Sequence, residues 1–473
     1  MFLGVLALVL LWVGYKLYAP RLENNWQINI HRSANITSKG TWLLRYRHAQ
    51  LAQLGIILTI QSLWSAVMGV VYGPLQMIWI VLGTTFLGAT LNYYGGIYAL
   101  THHGHSLNYV LKEKNKRVHL WMSVFLLLVL ILGTSCVFSI AYHIDFLFHK
   151  HSPVVYIYFA AMLLLSFCSQ RKFIITYSIF AILFLAGSFY FMMLTAGEFQ
   201  FASLNLNLAY YPETRFTYPL LFMTVSAGIM SGIDGLKGSI LAPNIKNEKM
   251  AKGIYFGAAV AQAGLVILWA LMLLAWNPEF SWLNKFMQRA ANPYEVLQGR
   301  LLNHFNSVAA MLLYVMTSVL CIGSGGTLLR LTGVLGRELG IEKDVARDFV
   351  PLGCFILAFA LYYLSAKNWS DEGLWYQIGN TMRYTFAVAM NSFDLFNMLV
   401  ATYVFGLLVM YFRQHEKSYN KYVYIAISLL GLCVAYVMMM WLHWPYGIDI
   451  ICGLILNIGF IMAWYLYQRR KHE

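Results

Sequence analysis

The most constraining feature of this 473-residue chain is a succession of long apolar stretches separated by short polar connections. A helix needs about 20 apolar residues to cross a bilayer. By that measure the sequence predicts thirteen spanning helices, centred on residues 2–18, 51–72, 75–100, 120–143, 154–168, 173–195, 217–241, 254–276, 306–329, 350–365, 386–412, 422–442 and 447–467. A water-soluble fold cannot bury so many such segments, so we expect an all-α polytopic membrane protein.

The charged residues predict the orientation of these helices. Only 11% of the residues are charged, and 33 Lys and Arg outnumber 19 Asp and Glu. If the helices alternate in direction and the N-terminus lies outside, 24 of the 33 cations fall on one side and 7 on the other. Cytoplasmic loops collect Lys and Arg. The basic surplus therefore predicts a cytoplasmic C-terminus and a bilayer environment, and no nucleic-acid partner.

The connections leave little room for chemistry outside the membrane. The longest outside loops, 196–216 and 277–305, are too short for a catalytic domain, and the sequence has no Walker, Rossmann or HExxH motif. Six cysteines lie in or beside apolar stretches without a CxxC pair, so we expect no metal and no cofactor. This profile favours a secondary transporter. A sensor built on a transporter fold and an intramembrane acyl or glycosyl transferase are the alternatives.

The most informative polar group is a pair of opposite charges inside residues 217–241. Ionisable side chains in a membrane cost about 2.5–3.5 kcal/mol each, so they are functional candidates. Asp234 and Lys237 are three residues apart and share one helix face. Clustered glycines beside them permit an unwound, substrate-binding segment, whereas the alternative is a neutral ion pair with glycines for close packing. The substrate-binding residues predicted in this segment are Ser231, Asp234, Gly235 and Lys237.

Two further segments carry polar side chains in apolar surroundings. Residues 321–327 read CIGSGGT, and the hydroxyls of Ser324 and Thr327 could be ligands of a coupling ion; tight helix packing is the alternative. Later in the chain, Asn391 is a candidate substrate contact, and Asp394 is either a proton acceptor or a carboxylate at the membrane surface. We interpret His102, His103 and His105 as a solvated, charged turn rather than a metal site.

One run of sequence resembles a known family. Residues 222–249, FMTVSAGIMSGIDGLKGSILAPNIKNEK, are similar to the signature of the carbon starvation protein A (CstA) transporters, with weaker agreement at HHGHSL (102–107) and GSGGT (323–327). The resemblance implies uptake of small organic solutes, with peptides and pyruvate as the family's substrates. It also implies coupling to protons or another cation such as sodium, and a location in the bacterial cytoplasmic membrane.

The same resemblance implies a core of two inverted five-helix repeats, as in the amino acid–polyamine–organocation superfamily. It divides the chain into an N-terminal helix and cytoplasmic loop, a first repeat, an inverted second repeat, and two C-terminal helices with a basic tail: residues 1–50, 51–195, 217–412 and 422–473. The first helix of each repeat is the broken one in such folds. Residues 51–67, LAQLGIILTIQSLWSAV, lack the family's Gly-Pro-rich break, so the sequence leaves open whether this helix is broken.

Overall fold

The structure is a computed structural model that describes residues 2–27, 43–63, 65–66, 76–149, 153–195, 231–275, 307–366 and 393–440, with a few positions between 455 and 464. These residues are nearly all helical. The helices are α1 (Phe2–Val13), α2 (Ala19–Trp26), α3 (Tyr46–Ile57), α4 (Gln76–Leu82), α5 (Ala89–Thr101), α6 (Val110–Lys114), α7 (Lys116–His149), α8 (Val154–Phe167), α9 (Gln170–Thr195), α10 (Asp234–Leu241), α11 (Gly257–Ala275), α12 (Ser307–Glu338), α13 (Lys343–Ala366), α14 (Phe393–Gln414) and α15 (Asn420–Met440).

The helical architecture confirms the predicted fold class. Within the described ranges, eight helical segments are long and apolar enough to cross a membrane. Wider π-helical turns join three pairs of segments, at Gly14–Tyr18, Gly83–Gly88 and Lys252–Phe256. The full count of thirteen and the orientation of the termini stay predictions, because residues 201–230, 367–392 and 441–454 lie outside the described part.

Two helices extend beyond their predicted ends. The first continues through α2 to Trp26, where a loop was expected, because Leu22 and Trp26 bury one face of an added turn. Helix α12 runs on to Glu338, past the predicted end at 329. Arg330 therefore lies within α12, where its guanidinium donates to the carbonyl oxygens of Ser166 and Cys168 at the end of α8.

Helix packing has the pattern expected of two related halves. If α3, α5, α7, α8 and α9 correspond in order to α10, α11, α12, α13 and α14, most contacts have a counterpart. Helix α5 packs on α10 as α11 packs on α3, and α8 packs on α12 as α13 packs on α7. Helix α9 packs on α12 as α14 packs on α7. The repeat boundaries themselves stay a prediction.

Glycines set the distance between α5 and α10. A Cβ atom added at Gly95 would overlap the Gly235 carbonyl oxygen, and one added at Gly238 would overlap the backbone of Gly96. Small residues let helix backbones approach closely in membrane proteins. Gly238, one turn after Asp234, therefore serves helix packing, which is the alternative to a substrate-binding role.

We expect Gly95→Ala to lower the unfolding temperature of the detergent-solubilised protein, because overpacking costs about 1–3 kcal/mol. The matched control is Gly406→Ala in α14, where an added Cβ has no neighbour within 4 Å. The control should be neutral or slightly stabilising, since Ala is the better helix former by about 1 kcal/mol. Equal unfolding temperatures for the two variants would contradict the close α5–α10 contact.

Candidate functional site

Helix α3, which begins the predicted first repeat, is followed by a break, although the sequence there carries no Gly-Pro-rich signal. Helix α3 ends at Ile57, Leu58 and Thr59 have no helical assignment, and the helix resumes at Ile60. Leu58 is extended, with φ −71° and ψ 100°. The break therefore forms in an apolar stretch that contains neither proline nor a glycine at the broken residues.

A glutamine of α11 spans this break. The Gln262 side-chain amide donates to the Ile57 carbonyl oxygen at 3.0 Å and to the Ser62 hydroxyl at 2.8 Å. The Thr59 N–H also donates to the Ser62 hydroxyl, at 3.2 Å. Broken backbone at membrane depth is tolerated where side chains satisfy the freed groups. Sequence reasoning missed Gln262, although it is a lone amide in an otherwise small and apolar segment.

Ser324 of α12 completes the support of the break. Its hydroxyl accepts the Ile60 N–H at 2.9 Å and donates to the Leu320 carbonyl oxygen at 2.6 Å. Thr327 is placed differently: its hydroxyl lies 2.9 Å from both the Tyr177 hydroxyl and the Gly323 carbonyl oxygen. Of the two predicted ion ligands, Ser324 therefore reaches the break, whereas Thr327 joins α12 to α9.

The second irregular segment precedes α10. Ser231, Gly232 and Ile233 form a turn, and the Asp234 N–H donates to the Ser231 carbonyl oxygen at 2.9 Å. The Ser231 hydroxyl donates to the Asn397 side-chain oxygen at 2.9 Å, which ties the turn to α14. A Cβ atom at Gly232 would overlap the backbone of Ala401, so this turn lies directly against α14.

Asp234 and Lys237 form a buried ion pair in the first turn of α10. The Lys237 Nζ lies 2.6 Å from the Asp234 Oδ1, and the two side chains are 3% and 5% exposed. Within the described residues, Lys237 is the one lysine or arginine that is fully buried. A buried ion that loses its partner is strongly destabilising, by about 3–5 kcal/mol. Removing either charged side chain alone would therefore leave the other as an unpaired buried ion.

A small cavity lies where the two irregular segments meet. Its volume is about 20 Å³, enough for about one water molecule. One side of the cavity is formed by α7 and by Phe393. The polar residues around it are Thr59, Gln61, Ser231, Lys237 and Ser324. Of the two members of the ion pair, Lys237 lines the cavity and Asp234 does not.

The predicted site residues separate into three groups. Ser231, Lys237 and Ser324 come together around the cavity. Gly235 lies outside it, against Leu91 and Val404. Asn391 falls outside the described residues, and for Asp394 only the backbone is described, in the first turn of α14. The structure adds Thr59, Gln61, Gln262 and Asn397 to the residues around the two irregular segments.

The histidine-rich turn is less solvated than expected. Only His103 is exposed; the His102 ring stacks on Tyr98 at 4.0 Å and the His105 ring stacks on Tyr109 at 4.0 Å. Burial, helped by the nearby cation of Arg337, lowers the pKa of His105 to about 4, so this ring is neutral at pH 7. The interpretation of a charged turn is therefore wrong for His105.

We expect Gln262→Leu to lower stability by about 1–3 kcal/mol, because the Ile57 carbonyl and the Ser62 hydroxyl lose a donor in a buried place. Ser178→Ala is a suitable control, since that hydroxyl bonds only to the Ile174 carbonyl of its own helix. Thermal unfolding in detergent measures both. If the two variants unfold at the same temperature, Gln262 does not hold the break.

Known proteins resemble this chain in fold and, weakly, in sequence. No protein-family model matches it. An uncharacterized membrane protein of Haemophilus influenzae is 24% identical over 332 residues, which cover 56% of this chain and 89% of that protein.

A histidine-to-alanine mutant of the Eremococcus coleocola manganese transporter superposes with a TM-score of 0.56 and 14% identity, over 93% of this chain and 99% of the transporter. The same transporter in complex with an aromatic bis-isothiourea substituted compound gives a TM-score of 0.56 at 13% identity, over 92% and 98% of the two chains. The chain is thus a multi-pass membrane protein that shares the helical fold of a transporter.

Proposed function

We propose that the protein is a secondary active transporter that carries small organic solutes across the cytoplasmic membrane by alternating access. Peptides and pyruvate-like carboxylates, the substrates of the carbon starvation type, are the proposed cargo. The observation that carries the proposal is the meeting of two irregular helix segments at a cavity that contains a buried lysine. Such segments expose backbone groups and half-helix ends to substrates in transporters.

The charge on the cavity wall favours a carboxylate over a cation. The Lys237 ammonium has three N–H donors, and the ion pair with Asp234 engages one side of it. A substrate carboxylate would take a charge-assisted hydrogen bond from this group. The Thr59 hydroxyl and the Gln61 amide can donate to the remaining substrate oxygens, whereas the Ser231 and Ser324 hydroxyls already donate to Asn397 and Leu320.

A metal cargo, as in the manganese transporters of the same fold, has less support. Within the described part of the chain, no three His, Cys, Asp or Glu residues are arranged to hold a metal ion. The carboxylate of Asp234 is already neutralised by Lys237, which lines the cavity. The described residues therefore favour an organic anion.

Charge balance favours proton coupling. The site itself contains one positive and one negative group, so a bound carboxylate would add an unbalanced negative charge in a place where charge burial is costly. A proton on Asp234 would restore neutrality. Sodium bound through the Ser324 hydroxyl is the alternative, and Asp394 stays a second candidate for the proton.

The sensor hypothesis loses its main argument. It rested on the missing sequence signal for a break in this helix, and the structure has a break at Leu58–Thr59. A sensor that never transports would have no need for two irregular segments at one cavity. A non-enzymatic function agrees with the transporter fold.

We expect Lys237→Met to raise the KM for carboxylate uptake into proteoliposomes by about tenfold or more, since a charged hydrogen-bond donor of about 1.5–3 kcal/mol is lost. Lys252→Met is the control, because this lysine pairs with Glu23 at 2.6 Å and does not line the cavity. Unchanged substrate affinity in Lys237→Met would reject the assignment. Wild-type protein that shows no uptake or counterflow of pyruvate, short peptides or amino acids would reject transport.

Ser324 and Thr327 should behave differently in the same assay. Ser324→Ala removes a cavity hydroxyl that supports the broken helix, so uptake should fall and its dependence on sodium or protons should change. Thr327→Ala should lower thermal stability by about 1 kcal/mol, the value of an ordinary hydrogen bond, and leave the ion dependence unchanged. Coupled uptake that survives both substitutions would exclude both hydroxyls as cation ligands.

A further inference from the structure

A buried carboxylate at the end of α12 is not part of the cavity. Glu338 is 0% exposed, and it lies at the end of α12 that the charge distribution places on the cytoplasmic side. Its carboxylate accepts the Ser106 N–H at 2.5 Å, the Ser106 hydroxyl at 3.0 Å and the Asn108 side-chain amide at 3.5 Å. These three donors are uncharged groups, and all belong to the connection between α5 and α6.

Asn108 extends this contact to two more helices. Its side-chain amide donates to the Ser123 hydroxyl of α7 at 2.8 Å, and its side-chain oxygen accepts the Tyr403 hydroxyl of α14 at 2.5 Å. All of these polar groups except the Tyr403 ring are fully buried. The network therefore joins α7, α12 and α14 to the connection that follows α5.

Lys112 closes the same region from its outer side. Its Nζ donates to the main-chain carbonyl oxygen of Glu338 at 2.8 Å and lies over the Tyr109 ring at 5.0 Å from its centre. A lysine at a helix C-terminus satisfies an otherwise free carbonyl. Both the side chain and the backbone of Glu338 thus hold the segment between α5 and α7.

The segment between α5 and α7 connects two groups of helices, so the Glu338 contact can affect how these groups move relative to each other. Helix α5 packs tightly on α10, which carries the ion pair, whereas α7 and α12 pack on each other. Alternating access in repeat folds is largely the movement of one helix group against the other. The connection from α5 to α7 crosses between these groups, and Glu338 fixes it to α12.

We propose that Glu338 is a latch that keeps the cytoplasmic side of the transporter closed, and that the bonds to Ser106 must break before the cavity opens inward. The inference rests on the alternating access of the proposed function. The sequence signal for it is the HHGHSL run at residues 102–107, whose Ser106 is the residue that Glu338 holds.

A native cysteine provides the test. Cys136 lines the cavity and is 7% exposed, so its alkylation by a membrane-impermeant maleimide, added to inside-out vesicles, measures inward opening. Mass spectrometry separates Cys136 from the other cysteines. We expect Glu338→Ala to raise the labelling rate at least about tenfold, because all three hydrogen bonds to the Glu338 carboxyl group are lost. Ser106→Ala, which keeps its main-chain N–H, should give a smaller increase.

Glu342→Ala is the matched control, because Glu342 is an exposed glutamate four residues further along the chain. It removes the same side chain without touching the network, and its labelling rate should equal that of the wild type. If Glu338→Ala does not fold, Ser106→Ala decides the question. Wild-type labelling rates in the folded latch variants would overturn the proposal.

Transport measured in parallel separates this inference from the proposed function. Faster Cys136 labelling without uptake of any tested solute would support the latch and reject transport of those solutes. Normal uptake with unchanged labelling in Glu338→Ala and Ser106→Ala would reject the latch and leave the transporter proposal intact.

Discussion

The buried ion pair of Lys237 and Asp234 is the interaction on which the rest of the site depends. A lone ammonium at this depth would lose its hydration without compensation, so it is retained only beside a carboxylate. Both groups lie on one turn of α10 and move together with that helix. The pair adds no net charge to the apolar interior, and α10 can change position without moving a net charge through the membrane.

The broken first helix shows a second constraint, which is the satisfaction of backbone groups away from water. Glycine and proline are the usual signals of such a break, but here the backbone at Leu58 and Thr59 departs from the helix without them. Gln262 and Ser324 hold the two ends, at Ile57 and Ile60. The conformation is therefore specified by other helices rather than by the local sequence.

This difference explains what the sequence could and could not predict. The i,i+3 spacing of Asp234 and Lys237 is a local property, so their pairing was predictable, as were the apolar helices. The break was not, because Gln262 and Ser324 are about 200 and 260 residues away along the chain. Gly235 was predicted to bind substrate together with its neighbours, but it lies outside the cavity. A pattern of small residues does not tell which helix face meets a cavity and which meets another helix.

The cavity and the Glu338 network are built differently. At the cavity, Lys237 already has its counter-charge in Asp234, so the proposed carboxylate substrate would add a negative charge that neither residue balances. At Glu338, a buried carboxyl group is bonded by uncharged donors from one short connection. Those bonds are lost together if the connection moves away, which leaves the carboxylate without its donors. A closed state held in this way is cooperative, because no single donor can leave at little cost while the others remain.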